Sequence, residues 1–553
     1  MHYSTDYFIQ SLSKPMEFMK KILCISILFL LASFVSSVNA QILTTSMHPI
    51  IIIDTDNDDI PDEPKIEGTM GIIYNGEGIL NNTVDPFNYY DGFVGIETRG
   101  NSTQGFDKKT YSIELWDEAN EEISVNLFGM GGEEDWILHA MVIDKTQLRI
   151  PMSFYLAQRM GHTASEWKFV ELILNGEYRG LYILTEKIKR DDDRVDIAKL
   201  DENDLAGDSL TGGYILRIDW TWDIDMETDG FESDYQSQAE IPMFFQWYYP
   251  KANKIKPQQA NYIESWMNTF EDALFSNDFK NNQGLRYTEY IDLHSFTDFL
   301  LINELSKNAD GYKLSSYVHK ERDSDGGKLV AGPIWDFDQT YGMSLVCSNH
   351  DPTGWTYLQN QNDCEDLESM PLWWQRMMSD ELFRNNLKCR WEDMRETFFH
   401  KDSINAWIDE QVDFTADAID RNFTVWDYFI GNQIWIEPEP IPQSYEAEIE
   451  YMKDWISDRI DWLDINMPGD CSLVSTRLPN NKRVDVQVYP NPVADRVYIE
   501  AADFIEANLY SLGGRSLGSD QDGSIDMSSL EPGVYLVQIF TKKGTETQKV
   551  IKL

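Results

Sequence analysis

Two aspartates, Asp336 and Asp338, sit beside Trp335 and Phe337 in the segment Gly332–Gly342, which reads GPIWDFDQTYG. A third, Asp310 of Asn308-Ala309-Asp310, stands 26 residues before Asp336. Carboxylates brought close together repel unless a proton or a cation lies between them. A divalent ion such as Mg²⁺ takes one or two protein carboxylates together with substrate phosphates. The chemistry these residues suggest is metal-assisted phosphoryl transfer. That reaction asks a protein for cations on the phosphates, a carboxylate-held metal and a group that orients the nucleophile. The plainer reading is a buried aspartate pair that caps turns.

The elements around these residues can be read from periodicity. An apolar helical run, Ile291–Leu305, leads toward Asp310. Ser316–Lys320 and Lys328–Ala331 predict a hairpin just before the acidic segment. Upstream, Phe93–Thr98 and Thr110–Leu115 read as strands joined by the loop Arg99–Lys109, which brings Arg99, Lys108 and Lys109 to a polar turn. Asp144–Met160 has helical spacing and Gly161 stops it. Phe169–Leu174 and Tyr178–Glu186 flank Asn175-Gly176, the strongest short-range hairpin signal. Gly213–Trp220 is a further strand and Pro257–Phe275 a helix; from Leu367 to Met467 the pattern is helical. A β-rich half is thus followed by a mostly helical half, an α+β class, with the acidic cluster near the seam.

Composition narrows the function. The formal charge of −48 leaves no basic stripe for nucleic acid. With 17 Trp, 27 Tyr and 27 Phe the chain can bury a core, so the acidity belongs to a solvated surface rather than to disorder. Lys20-Lys21, the apolar run Ile22–Val35 and Val38-Asn39-Ala40 form a signal peptide over residues 1–40, with an over-extended start before Met16 or Met19 and cleavage before Gln41. The run is short for a membrane anchor, and no other stretch could span a bilayer. Export exposes Cys347, Cys364, Cys389 and Cys471 to oxidising conditions, and Cys347 with Cys364 is the first pair expected. The alternating aspartates of Asp54–Asp62 resemble a calcium loop. However, Asp59 stands where a glycine would turn the chain and no Glu closes the loop, so an acidic turn is favoured.

The last 70 residues change character. After a linker over 476–483, residues 484–553 hold short strands with Gly, Pro and Asn turns, which predict a small β-sandwich. Tyr489-Pro490-Asn491-Pro492, Leu509-Tyr510 with Gly513, and Leu530 with Gly533-Val534-Tyr535 resemble the C-terminal sorting domain of the type IX secretion system of Bacteroidetes. That resemblance implies the type IX machinery as a partner and a secreted or cell-surface destination. An ordinary carbohydrate-binding sandwich is the competing reading.

Residues 41–475 resemble the CotH kinase family of atypical secreted kinases. The resemblance rests on GIETRGNSTQGFDKKTYSIEL (Gly95–Leu115), EDWILHAMVIDKTQLR (Glu134–Arg149), ELILNGEYRGLYILTEKI (Glu171–Ile188) and the Asp310 and Trp335–Asp338 segments. It implies a two-lobed, kinase-like domain with a β-rich N-lobe and a helical C-lobe. The implied cofactors are ATP and Mg²⁺ or Mn²⁺, and the implied reaction is transfer of the γ-phosphoryl to Ser or Thr of a protein. By motif, Asp310 becomes the catalytic base and Asp336 the main metal ligand, with Asp338 and Ser315 as further ligands. Ser315 stands five residues after Asp310, where a kinase has Asn. Lys108 and Arg99 become the phosphate contacts, and Glu186 an adenine-side contact. Two other readings stay open: a surface adhesion or scaffold protein that keeps the fold without the activity, and a metal-dependent hydrolase using Asp310 and Asp336.

Overall fold

Seven strands between Ile50 and Glu186 close into a barrel: β1 (Ile50–Asp54), β2 (Ile66–Ile73), β3 (Tyr90–Arg99), β4 (Thr110–Trp116), β5 (Asp135–His139), β6 (Trp167–Leu174) and β7 (Glu177–Glu186). The computed structural model describes residues 43–553 except 236–242, 362–363, 365–369, 474–485, 502–503, 512–515, 521, 529, 531–532, 542–543 and 553. The signal peptide and the linker read from the sequence lie outside the described residues. The order around the barrel is β6-β7-β5-β4-β3-β2-β1. Every neighbour is antiparallel except the closing pair, where β1 runs parallel to β6 from Ile50 opposite Glu171 to Ile53 opposite Leu174. Alternate residues fill the interior: Ile51 and Ile53, Met70 and Ile72, Val94 and Ile96, Tyr111 and Ile113, Trp136 and Leu138, Val170 and Leu172, Tyr182 and Leu184. This is the period-2 pattern that a closed sheet requires.

The β6–β7 hairpin turns on Asn175-Gly176 as its sequence predicts, with φ of 52° and 76°. Glycine takes such an angle at no steric cost. The helix expected from Asp144 begins later, as α1 (Arg149–Arg159). Residues before it form turns instead. Asp144 accepts hydrogen bonds from Thr146 N (2.9 Å) and Arg149 N (2.8 Å), and Gln147 has φ 58°. A short polar side chain that bonds its own neighbouring amides competes with helix formation.

A second sheet, antiparallel throughout, has five strands: β8 (Tyr214–Ile218), β9 (Gly230–Glu232), β10 (Phe244–Tyr249), β11 (Ser316–Lys320) and β12 (Leu329–Ala331), in the order β9-β10-β8-β11-β12. Helices α2 (Pro257–Phe275), α3 (Leu293–Ser306), α4 (Trp373–Met377), α5 (Glu381–Arg395), α6 (Lys401–Val425) and α7 (Tyr445–Asn466) share one extended core with this sheet and with α1. α3 is its centre: it is buried almost all round from Ser295 to Ser306, which is why its sequence reads as a continuous apolar run. Its charged residues are paired. Asp298 meets Arg390 (2.9 Å), and Glu304 meets Arg459 (3.1 Å) with both side chains fully buried. Asp292 caps its start by accepting from Ser295 N, and Lys307 ends it in the left-handed conformation. Lys307 Nζ then donates to the carbonyls of Ser348, Asp351 and Thr353. The chain reaches Asp310 from this anchored helix end.

Cys347 and Cys364 are joined by a disulfide, as expected. In the Asp54–Asp62 turn, Thr55 N and Oγ1 both reach Asn175 Oδ1, and no three carboxylates of that turn converge among the described residues.

From Asp470 the chain forms a separate unit. It holds a three-stranded sheet of β13 (Val486–Tyr489), β14 (Arg496–Ala501) and β17 (Ser524–Asp526). It also holds a four-stranded sheet of β16 (Ser516–Asp520), β15 (Phe504–Ser511), β18 (Gly533–Thr541) and β19 (Gly544–Lys552). One core takes residues from both, including Val497, Ile499, Leu509, Val537 and Ile539.

Candidate functional site

One cleft of about 140 Å³ collects residues from several separate stretches of chain. Arg99 ends β3 and Gly100–Thr103 turn away from it. His139 ends β5; Trp220 follows β8; Asp310, Leu314 and Ser315 join α3 to β11; and Trp335–Gln339 follow β12. Of the residues the sequence singles out, Asp310, Asp336, Asp338, Ser315 and Arg99 all line this cleft, and Lys108 and Glu186 do not.

The two loops that carry the aspartates are tied to each other. Ala309 N donates to Gln339 O (3.1 Å), and Tyr341 N to Ser306 O (2.8 Å). Gln339 Nε2 donates to Asp310 Oδ2 (3.1 Å). The Gln339 side-chain Oε1 accepts from Ser344 Oγ (3.2 Å) and Trp435 Nε1 (3.1 Å), which fixes which way the amide faces. From the barrel side, Arg149 Nε donates to Thr340 O (3.0 Å) while its guanidinium pairs with Asp144 at 2.5 Å. Phe337 is buried and anchors the middle of the segment. Asp336 and Ser315 both have positive φ, 61° and 46°. Non-glycine residues sit there when surrounding contacts over-determine them, a pattern concentrated at functional sites.

The electrostatics are unbalanced. Asp336 is pushed up to about 6, first by burial and then by Asp219; Arg99 and the Ser315 hydroxyl act in the opposite direction. Asp338 is raised well above the carboxylate range by burial, with Asp336, Asp310 and Asp144 adding repulsion. Arg99 is the one basic side chain among the described lining residues, and its guanidinium lies 5.8 Å from the Trp335 ring. His139 is held down at about 3 by burial, Arg99 and Lys108. Its Nδ1 accepts from Met141 N (3.0 Å), so the neutral ring carries its proton on Nε2.

A set of buried and half-buried acids with a single cation is a poor structural element and a good cation receptor. Among the described residues, no three cleft carboxylates come within 4.8 Å of one another. This arrangement suits an ion of the Mg²⁺ kind, which keeps waters and takes one or two carboxylates beside a phosphate. Asp336 and Asp338, with the Ser315 hydroxyl, are the donors that fit.

Lys108 lies inside the protein, 1% exposed. Its Nζ donates to Leu181 O (2.7 Å) and Gln147 Oε1 (3.2 Å) and stands 4.9 Å from the Tyr182 ring. Burial holds its pKa well below the usual lysine value. Glu186 ends β7, where it accepts from Glu166 N (2.8 Å) and meets Arg194 (3.3 Å); burial raises it to about 7. Of the nearby acids, Asp144 is engaged with Arg149, and Glu171 with Arg421, Ser46 and Tyr178. Sequence reasoning missed Asp219, His139 and Gln339. Asp219 left a usable trace, an acid directly after the apolar strand Tyr214–Ile218.

Comparison with known proteins gives two family matches. The model described as CotH kinase protein matches residues 96–463. The model described as Secretion system C-terminal sorting domain matches residues 487–553. The chain is also similar to beta-agarase D of Zobellia galactanivorans, 41% identical over 69 residues. That match covers 12% of this chain and 14% of the agarase, a small part of either.

Proposed function

Because the chain belongs to the CotH kinase family, we propose that it is an exported phosphotransferase that moves the γ-phosphoryl of ATP to Ser or Thr of a protein. One observation carries this reading: Asp310, Asp336, Asp338, Ser315 and Arg99, drawn from separate elements, share one cleft. In this reading the barrel and the helical part are the two lobes of a kinase-like domain. The two C-terminal sheets are a sandwich that the type IX machinery reads, which supports a secreted or cell-surface destination.

Asp310, oriented by Gln339, accepts the proton of the attacking hydroxyl. Its Oδ2 accepts from Gln339 Nε2, which orients the carboxylate for that task. Arg99 contacts the phosphates, and the Gly100–Thr103 turn lies beside it with a backbone free of bulk at Gly100 (φ 107°). The neutral His139 Nε2 is a further donor at the cleft wall. Asp336, Asp338 and Ser315 would hold Mg²⁺ or Mn²⁺, which when bound supplies positive charge to the phosphate oxygens.

The test is transfer of labelled phosphate from ATP to an acceptor protein, with ATP binding followed by calorimetry. Incorporation that is lost in both Asp310→Ala and Asp336→Ala, with ATP binding kept in Asp310→Ala, supports the kinase. One observation favours a second reading, a surface adhesion or scaffold protein with weak or no activity: Lys108 is committed to Leu181 and Gln147, leaving Arg99 as the one cation among the described lining residues. Absence of ATP binding under every divalent ion selects that reading. Phosphate release without acceptor labelling selects a hydrolase.

A further inference from the structure

A second group of ligating side chains lies outside the cleft. His294 and Asp298 are one turn apart on α3, which puts them on one face. His162 comes from the loop that follows α1, just after Gly161. His162 Nε2 stands 2.7 Å from Asp298 Oδ2, and His294 Nε2 stands 3.5 Å from the same oxygen. The three ligand atoms all lie within 4.8 Å of one another. A tetrahedral ion with bonds of about 2.0–2.1 Å separates its ligands by about 3.3 Å, so small side-chain adjustments suffice.

The surroundings match what a metal site needs beyond its ligands. Asp298 is fully buried. Arg390 Nε donates to its Oδ1 (2.9 Å) and Arg390 Nη2 to its Oδ2 (2.9 Å), while Nη2 also donates to Met160 O (2.8 Å). Arg390 therefore holds the carboxylate from one edge, and Oδ2 is aimed between two imidazoles. A ligating carboxylate is normally fixed in this way by an outer partner. A buried Asp–Arg pair is already satisfied without either histidine. Beside the group is a cavity of about 20 Å³, room for about one water-sized particle; His162, Thr163, Ser295 and Asp298 form its polar side, and apolar residues including Met160, Phe299 and the Gly332–Ile334 segment form the rest. His294 is 58% exposed, so the group has a path to solvent.

We propose that His162, His294 and Asp298 form a site for a transition-metal cation of the zinc class, separate from the cleft aspartates, with its fourth position open to water. Two imidazoles and one carboxylate select such an ion over Mg²⁺, which prefers oxygen ligands. The ion ties the loop after α1 to the N-terminal half of α3. The cavity wall it adjoins is Gly332–Ile334, which runs directly into Trp335 and Asp336.

The experiment uses untagged protein in excess Mg²⁺, titrated with Co²⁺ and followed by visible absorption, and melted with and without Zn²⁺. The expected result is one-to-one Co²⁺ binding with the strong bands of a tetrahedral site. At a hundredfold excess of Zn²⁺ over its Kd, the melting temperature rises by about 3 °C for a domain of this size. Both signals are lost in His294→Ala, a change at an exposed residue that the fold tolerates, and in His162→Ala, and both persist in Asp336→Ala. Asp298 is left intact because its removal strands Arg390. Absence of binding in the unmodified protein overturns the proposal, as does binding that survives the two histidine changes combined. Binding lost in Asp336→Ala but kept in His294→Ala assigns the ion to the cleft and overturns it equally.

Discussion

Gln339 Nε2 lies 3.1 Å from Asp310 Oδ2, and Trp435 and Ser344 together hold the amide in that orientation. The glutamine adjoins the acidic segment and its target lies in the loop after α3, so one side chain couples the two. A hydrogen bond to a charged group contributes about 1.5–3 kcal/mol. Gln339→Met is therefore expected to lower kcat by about 10- to 100-fold with ATP affinity unchanged. Steady-state transfer rates set against calorimetric ATP binding check this. An equal fall in both would place Gln339 in nucleotide binding instead.

Asp338 is buried among Asp336, Asp310 and Asp144. Removing one charge from such a group should stabilise the protein while disabling the site, the usual trade at an active centre. Asp338→Asn is expected to melt about 1–2 kcal/mol more stably than the unmodified protein in chelator, and to lose most of the stabilisation by Mg²⁺ with nucleotide. Thermal melts with and without the ion decide it; a lower melting point in chelator would contradict the expectation.

Arg459 and Glu304 form a fully buried pair at the end of α3. Glu304 also accepts from Thr356 N, Tyr357 N and the Tyr312 hydroxyl, and Arg459 donates to the carbonyls of Glu304, Pro352 and Gly354. Breaking one side of a buried pair leaves an uncompensated charge and costs about 3–5 kcal/mol. Arg459→Met should lower stability by that amount in urea unfolding. Because the pair sits just before Lys307 and Asp310, phosphotransfer should fall even where the variant remains folded.

Glu271 gives the pH dependence. Its carboxylate accepts from Ser233 Oγ and Trp373 Nε1 (2.7 Å), and burial raises its pKa from 4.5 to about 7. The folded protein therefore keeps a proton that the unfolded chain releases between pH 4.5 and about 7. The stabilisation is complete below 4.5 and lost as pH rises through about 7. The span corresponds to roughly 3 kcal/mol. Glu271→Gln, whose amide can accept from Trp373 and donate to Ser233, should flatten this part of the stability profile. Urea midpoints for both proteins at pH 5 and pH 8 measure the difference.

Much of the site was legible because its residues carry local signals. The acids beside Trp335 and Phe337, the helix leading to Asp310 and the hairpin before the motif are each written in consecutive residues. Pro257 opens α2 and Asn175-Gly176 turns β6 into β7 where the sequence places them. Lys108 and Glu186 could not be placed this way. Whether a lysine before a strand faces solvent or the Leu181 carbonyl depends on a partner 73 residues away. Glu186 is claimed by Glu166 and Arg194, which pattern alone does not reveal. The late start of α1 follows from Asp144 bonding nearby amides, a local competition that helical periodicity hides.

The barrel is sealed by one parallel contact between β1 and β6, continued by Thr55 meeting Asn175, 120 residues later. Closing so long a loop costs entropy before any of its contacts form, which slows folding of the N-terminal half. Until then β1, mostly isoleucine, presents an open edge of the kind that pairs with other chains. The barrel stays unsealed until β6 and the hairpin at Asn175-Gly176 have formed, and the β1 edge is exposed to aggregation for the same interval.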